Sequence, residues 1–134
     1  FWTKNYGGDI MIQRLDEVMI YVYNHDKAIT FWTKNLDFKV VEDTEELQMR
    51  VVKLAPYDDA QTAIVLQDKA KVDEMDMGVS TDTPSLIFAT TQFDELFNRL
   101  KDSQVTVGDI MTLTMGRVFN FADEENNYFA VKEV

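Results

Sequence analysis

The stretch AITFWTKNLDFKVVED, residues 28–43, changes its pattern halfway along, and this change indicates how the chain folds. The apolar residues of its first half recur at the spacing of one helical face. They are Ile29, Trp32 and Leu36. Asn24, just upstream, suits the N-terminal cap of such a helix, and the second half reads as an extended strand. The sequence therefore predicts a helix over residues 24–36, followed at once by a strand over 38–43.

Further strands are predicted on both sides of this pair. Residues 17–23, EVMIYVY, alternate between an aliphatic side and a mixed side, which predicts a strand before the helix. QMRVVKL and QTAIVLQ, at 48–54 and 61–67, predict two more strands after it. Residues 69–82 carry many charges without a clean period and predict a connector. The first module, about residues 15–68, therefore reads strand, helix, three strands.

The same order returns after the connector, over about residues 83–134. PSLIFAT is a predicted strand, and TQFDELFNRLKD is a predicted helix in which Thr91 and Asp94 have the spacing of a capping box. The segments QVTV, IMTLTM, RVFNFA and YFAVKEV read as extended, with the turn DEENN before the last of them. The sequence thus predicts an α+β domain built from two βαβββ modules with little mutual identity.

The composition of the 134 residues limits the function. The net charge of −11 disfavours a nucleic-acid partner, because a phosphate backbone would be repelled. No apolar run is long enough to cross a bilayer, so we expect no membrane partner. The chain has no cysteine, which rules out disulfides and thiolate chemistry and favours a cytoplasmic location.

The pentapeptide FWTKN occurs at residues 31–35 and also at residues 1–5. The first of these lies in the predicted helix, whereas the other precedes Met11 and has no partner elements around it. We interpret residues 1–10 as an upstream leader outside the fold and 11–134 as a single domain. The Gly-Gly-Asp tripeptide of the leader could be encoded by a purine-rich ribosome-binding sequence. The alternative is a genuine N-terminal arm docked on the domain.

Two motifs, in this order, resemble those of one family. Residues 28–43 are similar to the first helix of vicinal-oxygen-chelate proteins, which typically ends with an aromatic pair and then Leu-Gly-Phe. FNFADEENNYFAV, residues 119–131, is similar to their last hairpin, usually Phe-x-Asp-Pro-Asp-Gly-Asn before the final strand. From about residue 15 to residue 134 the chain thus resembles this superfamily of glyoxalase I, bleomycin-resistance proteins and extradiol dioxygenases. The resemblance implies a concave mixed sheet with helices on its outer face.

The sequence departs from the family motifs at three positions. Asp37 stands in place of the glycine that ends the first helix, and Asn126 in place of the hairpin glycine. Asp and Asn tolerate a positive φ better than most residues, so we expect both turns to keep their shape. Glu124 replaces the proline, which we expect only to loosen the turn.

The resemblance also implies where a metal would be held. Metal-dependent relatives place one His, Glu or Gln on each of four strands of the concave face. The corresponding positions are Glu17, Val65 (or Gln67, after a slip of two residues), Ser85 and Ala130. One certain ligand, two at best, cannot hold a catalytic metal, so we expect neither metal nor cofactor. The single histidine, His25, falls at the start of the first helix and suits a cap or the surface.

The concave face implied by the resemblance is a candidate small-molecule site. Strand alternation places mostly apolar residues there with a few polar groups, which is typical of ligand pockets. They are Glu17, Met19, Tyr21, Val65, Gln67, Ser85, Ile87 and Ala130. Arg50 is a candidate for the rim, where it would suit an anionic ligand. The alternative is that these residues close the cavity as core, or bury against a second subunit.

Three functions are consistent with these residues. The first is a metal-free binding protein of the bleomycin-resistance type, with its ligand in the concave sheet or in a groove between subunits. The second is a metal-dependent lyase or dioxygenase with an unrecognised ligand set. The third is an enzyme without metal, in which Glu17 acts as general base beside Tyr21. Because related folds commonly pair and open sheet edges need covering, we also expect a homodimer.

Overall fold

The two predicted modules are present in the computed structural model, which describes residues 9–114 and 116–134. That part of the chain forms eight strands and three helices. In chain order they are β1 (Glu17–Val22), α1 (His25–Leu36), β2 (Lys39–Glu46), β3 (Met49–Ala55), β4 (Ala63–Asp68), α2 (Lys69–Met75), β5 (Ile87–Thr90), α3 (Phe93–Asp102), β6 (Met111–Leu113), β7 (Gly116–Ala122) and β8 (Tyr128–Glu133). The predicted α+β class and the order strand, helix, three strands are confirmed in both halves.

The short helix α2 lies in the segment that the sequence predicted to be a connector. The interpretation of residues 1–10 falls mostly on residues 1–8, which lie outside the described residues.

The strands form two separate four-stranded sheets. Sheet 1 has the order β1-β4-β3-β2, and sheet 2 has the order β5-β8-β7-β6. The first strand of each module pairs in parallel with the last, and the other pairs are antiparallel. Each sheet is therefore mixed, and β1 and β5 each stand at an edge with one side unpaired inside the sheet.

Helix α1 begins and ends as the sequence predicted. The side chain of Asn24 accepts a hydrogen bond from the Lys27 N–H at 3.0 Å. At the other end Asp37 has φ 58°, and the Phe38 N–H donates to the Trp32 carbonyl at 3.1 Å. Asn126 in the last hairpin has φ 63°. Both residues thus adopt the left-handed conformation that the family fills with glycine.

The predicted capping box of α3 is wrong. The N-cap residue is Gln92, and it makes no side-chain capping bond. The carboxylate of Asp94 instead accepts two hydrogen bonds from the Arg117 guanidinium, at 2.9 and 3.0 Å. A bidentate bond between two charged groups is stronger than a single bond from a backbone N–H to the same carboxylate, so Arg117 takes the carboxylate that the local pattern assigned to the cap.

One aromatic side chain on α1 joins the two modules. Trp32 is fully buried, and its ring centre lies 5.2 to 6.2 Å from those of five phenylalanines. They are Phe31 and Phe38 of the first module and Phe88, Phe121 and Phe129 of the second. Buried residues of both sheets and of both long helices belong to a single core cluster.

Because the two sheets share this core, each turns one face toward it, and we call that face the core face. It carries buried residues such as Ile20, Leu66 and Val131. The residues that alternate with them lie on the other side of each sheet, which we call the open face. Both open faces consequently point away from the shared core. They are the faces to which the sequence analysis assigned the candidate site.

The last hairpin forms a second link between the modules. Its buried Asp123 accepts hydrogen bonds from the backbone N–H groups of Glu125 and Asn127, each at 2.9 Å. This turn presents the Glu125 carboxylate to the junction of β1 and α1. There it accepts the N–H groups of Tyr23, at 2.9 Å, and Asn24, at 3.0 Å. Module 2 thus satisfies two backbone donors of module 1 that would otherwise need water.

Glu124 in the same turn does more than loosen it. Both side-chain oxygens are buried and have no hydrogen-bond partner among the described residues. Burial, and next the neighbouring Asp123 carboxylate, raise the pKa of Glu124 to about 7. The folded protein therefore holds a proton on Glu124 more tightly than the unfolded chain does.

We expect Trp32→Ala to lower the free energy of unfolding by about 3–5 kcal/mol, because it opens a cavity between the modules. Trp32→Phe should cost less than about 2 kcal/mol, since it keeps a ring and removes the Trp32 indole N–H, which has no partner among the described residues. Urea unfolding followed by circular dichroism measures both, with Leu47→Ala in an exposed turn as the control. A cost below about 1 kcal/mol for Trp32→Ala would show that the modules do not depend on this contact.

We expect Glu124→Gln to remove part of the pH dependence of stability. The pKa of Glu124 in the folded protein, about 7, lies above the ordinary value of 4.5 for a glutamate, so its protonation stabilises the fold at low pH. That contribution is lost as the pH rises from about 4.5 to about 7. Above pH 7 the variant should therefore be the more stable by about 1 kcal/mol, a value reduced because the side chain is only half-buried. Urea unfolding between pH 5 and pH 8 measures this, with the exposed Glu74→Gln as control. Parallel curves for wild type and Glu124→Gln would contradict it.

Candidate functional site

Residues on the open face of sheet 1 bring together most of the predicted site. In the register of β1 with β4, Met19 lies beside Val65 and Tyr21 beside Gln67, while Glu17 lies beside Ala63. The amide nitrogen of Gln67 lies 3.5 Å from the Met19 sulfur. Five of the predicted residues thus form one continuous patch on two neighbouring strands.

Glu17 has a partner that sequence reasoning missed. The Lys53 ammonium lies 2.6 Å from its carboxylate, and the two side chains are 30% and 27% exposed. Lys53 pairs with Val65 across β3 and β4, which places it on the same open face. Hydrogen bonding to Glu17 raises the pKa of Lys53. Glu17, for which the sequence analysis indicated no charged partner, is therefore half of an ion pair. The alternation of QMRVVKL could have indicated this partner, because it places Lys53 on the same side of the predicted strand as Val51.

This ion pair lies in a polar pocket of about 450 Å³ at one end of sheet 1. The pocket is lined by residues of β1, β3 and β4 and by the turn before β4, together with the segment that leads into β1. Charged side chains on its wall include Arg14, Asp16 and Asp59. Both signs of charge are present, so the pocket suits a ligand with a polar or charged group.

The open face of sheet 2 has a different character. Ile87 of β5 lies beside Ala130 of β8, and Ser85 is exposed just before β5. Large apolar side chains on this face are exposed to solvent, which is unusual for so many on one sheet surface. They are Ile87 (57%), Met111 (47%), Leu113 (55%) and Tyr128 (60%). Ile87 and Ala130 thus belong to the open face of sheet 2, whereas Glu17 belongs to the open face of sheet 1.

The predicted rim residue Arg50 is not brought together with these residues. It shares the core-face parity of Val52, and its guanidinium donates to Asp43 of β2 at 2.7 Å and to Asp26 of α1 at 2.7 Å. The same bonds lower the pKa of Asp43. Arg50 thus ties the first turn of α1 to sheet 1. His25, which the sequence assigned to a cap or the surface, is buried, with Nε2 3.3 Å from the Leu66 carbonyl.

The four positions that correspond to metal ligands in relatives do not fit a metal. One of them, Glu17, is paired with Lys53, and the ammonium lies where a cation would have to bind. Val65 and Ala130 offer no donor atom, and Ser85 offers a neutral hydroxyl. Within residues 9–114 and 116–134, no three His, Cys, Asp or Glu side chains cluster in a way that could hold a metal ion. In the same residues, no helix has the length and apolar character needed to span a membrane.

The family model of the Glyoxalase/Bleomycin resistance protein/Dioxygenase superfamily matches residues 14–131. This match includes both modules and both open faces, and the chain belongs to that superfamily. The resemblance drawn from residues 28–43 and 119–131 is confirmed.

Individual relatives agree with this assignment. YetH, an uncharacterized protein of Bacillus subtilis (strain 168), is 27% identical over 125 residues, which cover 92% of this chain and 100% of YetH. TnmS3, an antibiotic binding protein from Streptomyces sp. CB03234, has a similar structure with a TM-score of 0.78 and 22% identity, covering 93% of this chain and 98% of its own. A superfamily member from Sphaerobacter thermophilus DSM 20745 gives a TM-score of 0.77 at 24% identity, covering 93% of this chain and 100% of its own. At such identities the structural likeness shows the fold alone.

Proposed function

We propose that this protein binds a small molecule, without a metal, between the open face of sheet 1 in one chain and that of sheet 2 in a second chain. The observation that carries the proposal is the orientation of the two open faces. Each open face is the side of its sheet opposite the one that packs on the shared core, which supports treating the face with Glu17 and the face with Ala130 as two half-sites of one chain. A homodimer completes two such sites at once, because each chain supplies the half that the other lacks.

The chemistry of the two halves supports a mainly apolar ligand that carries one polar group. Sheet 1 contributes the Glu17–Lys53 pair beside Met19 and Tyr21. Sheet 2 contributes exposed apolar and aromatic surface around Ile87 and Tyr128. Apolar walls with a few convergent polar groups are the usual composition of a small-molecule site. That TnmS3 is an antibiotic binding protein is consistent with this class of ligand. A cytoplasmic location, expected from the cysteine-free sequence, is part of the proposal.

The metal-dependent lyase or dioxygenase is the less favoured function, because Val65 and Ala130 offer no donor atom and the Glu17 carboxylate is paired with Lys53. The third candidate, an enzyme with Glu17 as general base, needs a free carboxylate next to the substrate. The ion pair with Lys53 makes Glu17 better suited to orienting a ligand than to removing a proton from it.

We expect a thermal-shift screen of cationic drugs, thiol conjugates and aromatic metabolites to find a compound that stabilises the protein by mass action. Its affinity should fall about tenfold in Glu17→Gln and in Tyr128→Ala, because each substitution removes a contact from one half of the site. Glu95→Gln on the outer side of α3 serves as the control. Isothermal titration after dialysis against EDTA measures binding. Binding that needs an added divalent metal would contradict the proposal, as would unchanged affinity in both variants.

We expect mixed dimers of the two defective variants to regain binding. In a dimer of one Glu17→Gln chain and one Tyr128→Ala chain, one site carries both substitutions and the other carries neither. After random exchange of equal amounts, half the dimers are mixed, so about one site in four should bind with wild-type affinity. Titration of the mixture measures this fraction, and sedimentation checks that the protein is dimeric. If each chain builds its own site, mixing restores nothing.

A further inference from the structure

A second pocket lies between the two modules inside one chain, and we call it the intermodule pocket. It has a volume of about 520 Å³. Module 1 contributes Val18, Leu36 and Phe38 to its wall, and module 2 contributes Leu86, Phe88 and Leu96. Val18 and Phe88 have core-face parity in β1 and β5, Leu36 and Leu96 lie in the two long helices, and Phe38 and Leu86 lie just before β2 and β5. The pocket is therefore mainly on the other side of the edge strands from the proposed open-face site, and Ala63, Ile87 and Ala89, which have open-face parity, lie at the boundary.

The wall of the intermodule pocket carries no charge. None of the sixteen described residues that line it is Asp, Glu, Lys, Arg or His, although 28% of the chain is charged. An ionised molecule entering such a pocket would lose its hydration without gaining an opposite charge, which is strongly unfavourable. The neighbouring cleft does contain charges: Asp37 and Arg99 pair with each other there at 2.8 Å, and the one further charged residue in its lining, the acidic Glu95, would repel an anion. The pocket thus selects against ions.

Polar groups are nevertheless available at one side of this pocket. The Leu86 carbonyl accepts from the Ala130 N–H, and the Thr90 carbonyl from the Val134 N–H, each at 3.0 Å. Since alternate residues of a parallel edge strand face its partner, the peptide groups of Ile87 and Ala89 face away from β8. Both residues line the pocket. A neutral hydrogen-bonding group on a ligand can pair with this free edge.

We propose that the intermodule pocket is a second ligand site, which takes an uncharged and mainly apolar molecule carrying a neutral hydrogen-bonding group. Its volume lies within the range of about 300–1,000 Å³ that small-molecule sites occupy. Because its walls come from both modules, such a ligand contacts β1, β5, α1 and α3 at once. It should bind only to the folded chain, and its binding should stabilise the packing of one module on the other.

The experiment uses two fluorophores that differ by one charge. N-phenyl-1-naphthylamine is uncharged, and 8-anilinonaphthalene-1-sulfonate has the same rings with a sulfonate group. Each is titrated into the full chain, and its own emission is measured on direct excitation. Leu96→Trp fills the pocket from α3, and Leu47→Trp adds the same bulk on an exposed turn. We expect the neutral probe to bind about tenfold more tightly than the anionic one, and Leu96→Trp alone to weaken it about tenfold.

A measurement on the unchanged chain keeps the proposal falsifiable if Leu96→Trp fails to fold. In methyl NMR spectra the neutral probe should shift the signals of Val18, Leu36, Leu86 and Leu96, and leave Leu113 on the open face unshifted. Shifts confined to the open face would overturn the proposal, as would equal affinity for the two probes or equal loss in the two tryptophan variants. An affinity for the neutral probe that falls as dimers form would also overturn the proposal, since the pocket would then be an interface between copies.

Discussion

The packing of Trp32 on α1 against rings from both modules is the contact on which the other features depend. Trp32 belongs to the first module and packs against Phe88, Phe121 and Phe129 of the second. The core faces of the two sheets therefore share one core and do not form two separate ones. With one interior shared, each sheet has a second face that lies outside this interior. Ile87 and Tyr128 are exposed there. The ligand site that we propose accordingly combines one such face from each of two chains.

The sequence specified the local features well, because their causes lie within a few residues. The cap at Asn24, the left-handed turns at Asp37 and Asn126 and the parity of each strand follow from propensity and period. Three of the misses involve long side chains that bond across elements. Lys53 reaches Glu17, Arg50 reaches Asp26, and Arg117 takes Asp94 from its expected cap. A charge on a strand indicates which face it lies on, but its partner depends on which strands and helices become neighbours. That the open faces belong to two separate sheets could not be predicted from the sequence for the same reason.

An ion pair at the position where relatives hold a metal changes what the open face of sheet 1 can do. A divalent cation attracts anionic and polarisable oxygen groups strongly and with fixed geometry. Glu17 and Lys53 together carry no net charge, yet they present a donor and an acceptor side by side to a ligand. Such a pair orients a polar group without activating it. This is why we propose binding, more than bond cleavage, for this face, and why the surface of sheet 2 that we propose as its partner can be almost entirely apolar.

Stability and ligand chemistry are divided between opposite faces of the same strands in this chain. Along β1, Val18, Ile20 and Val22 pack against the helices, whereas Glu17, Met19 and Tyr21 face outward. Substitutions at the outward positions change what can be bound without opening cavities in the core. Loss of the ligand residues that hold a metal in relatives would accordingly cost metal binding while leaving the βαβββ modules intact. The fold can thus match that of TnmS3 at 22% identity, because the core faces need only apolar side chains of suitable volume.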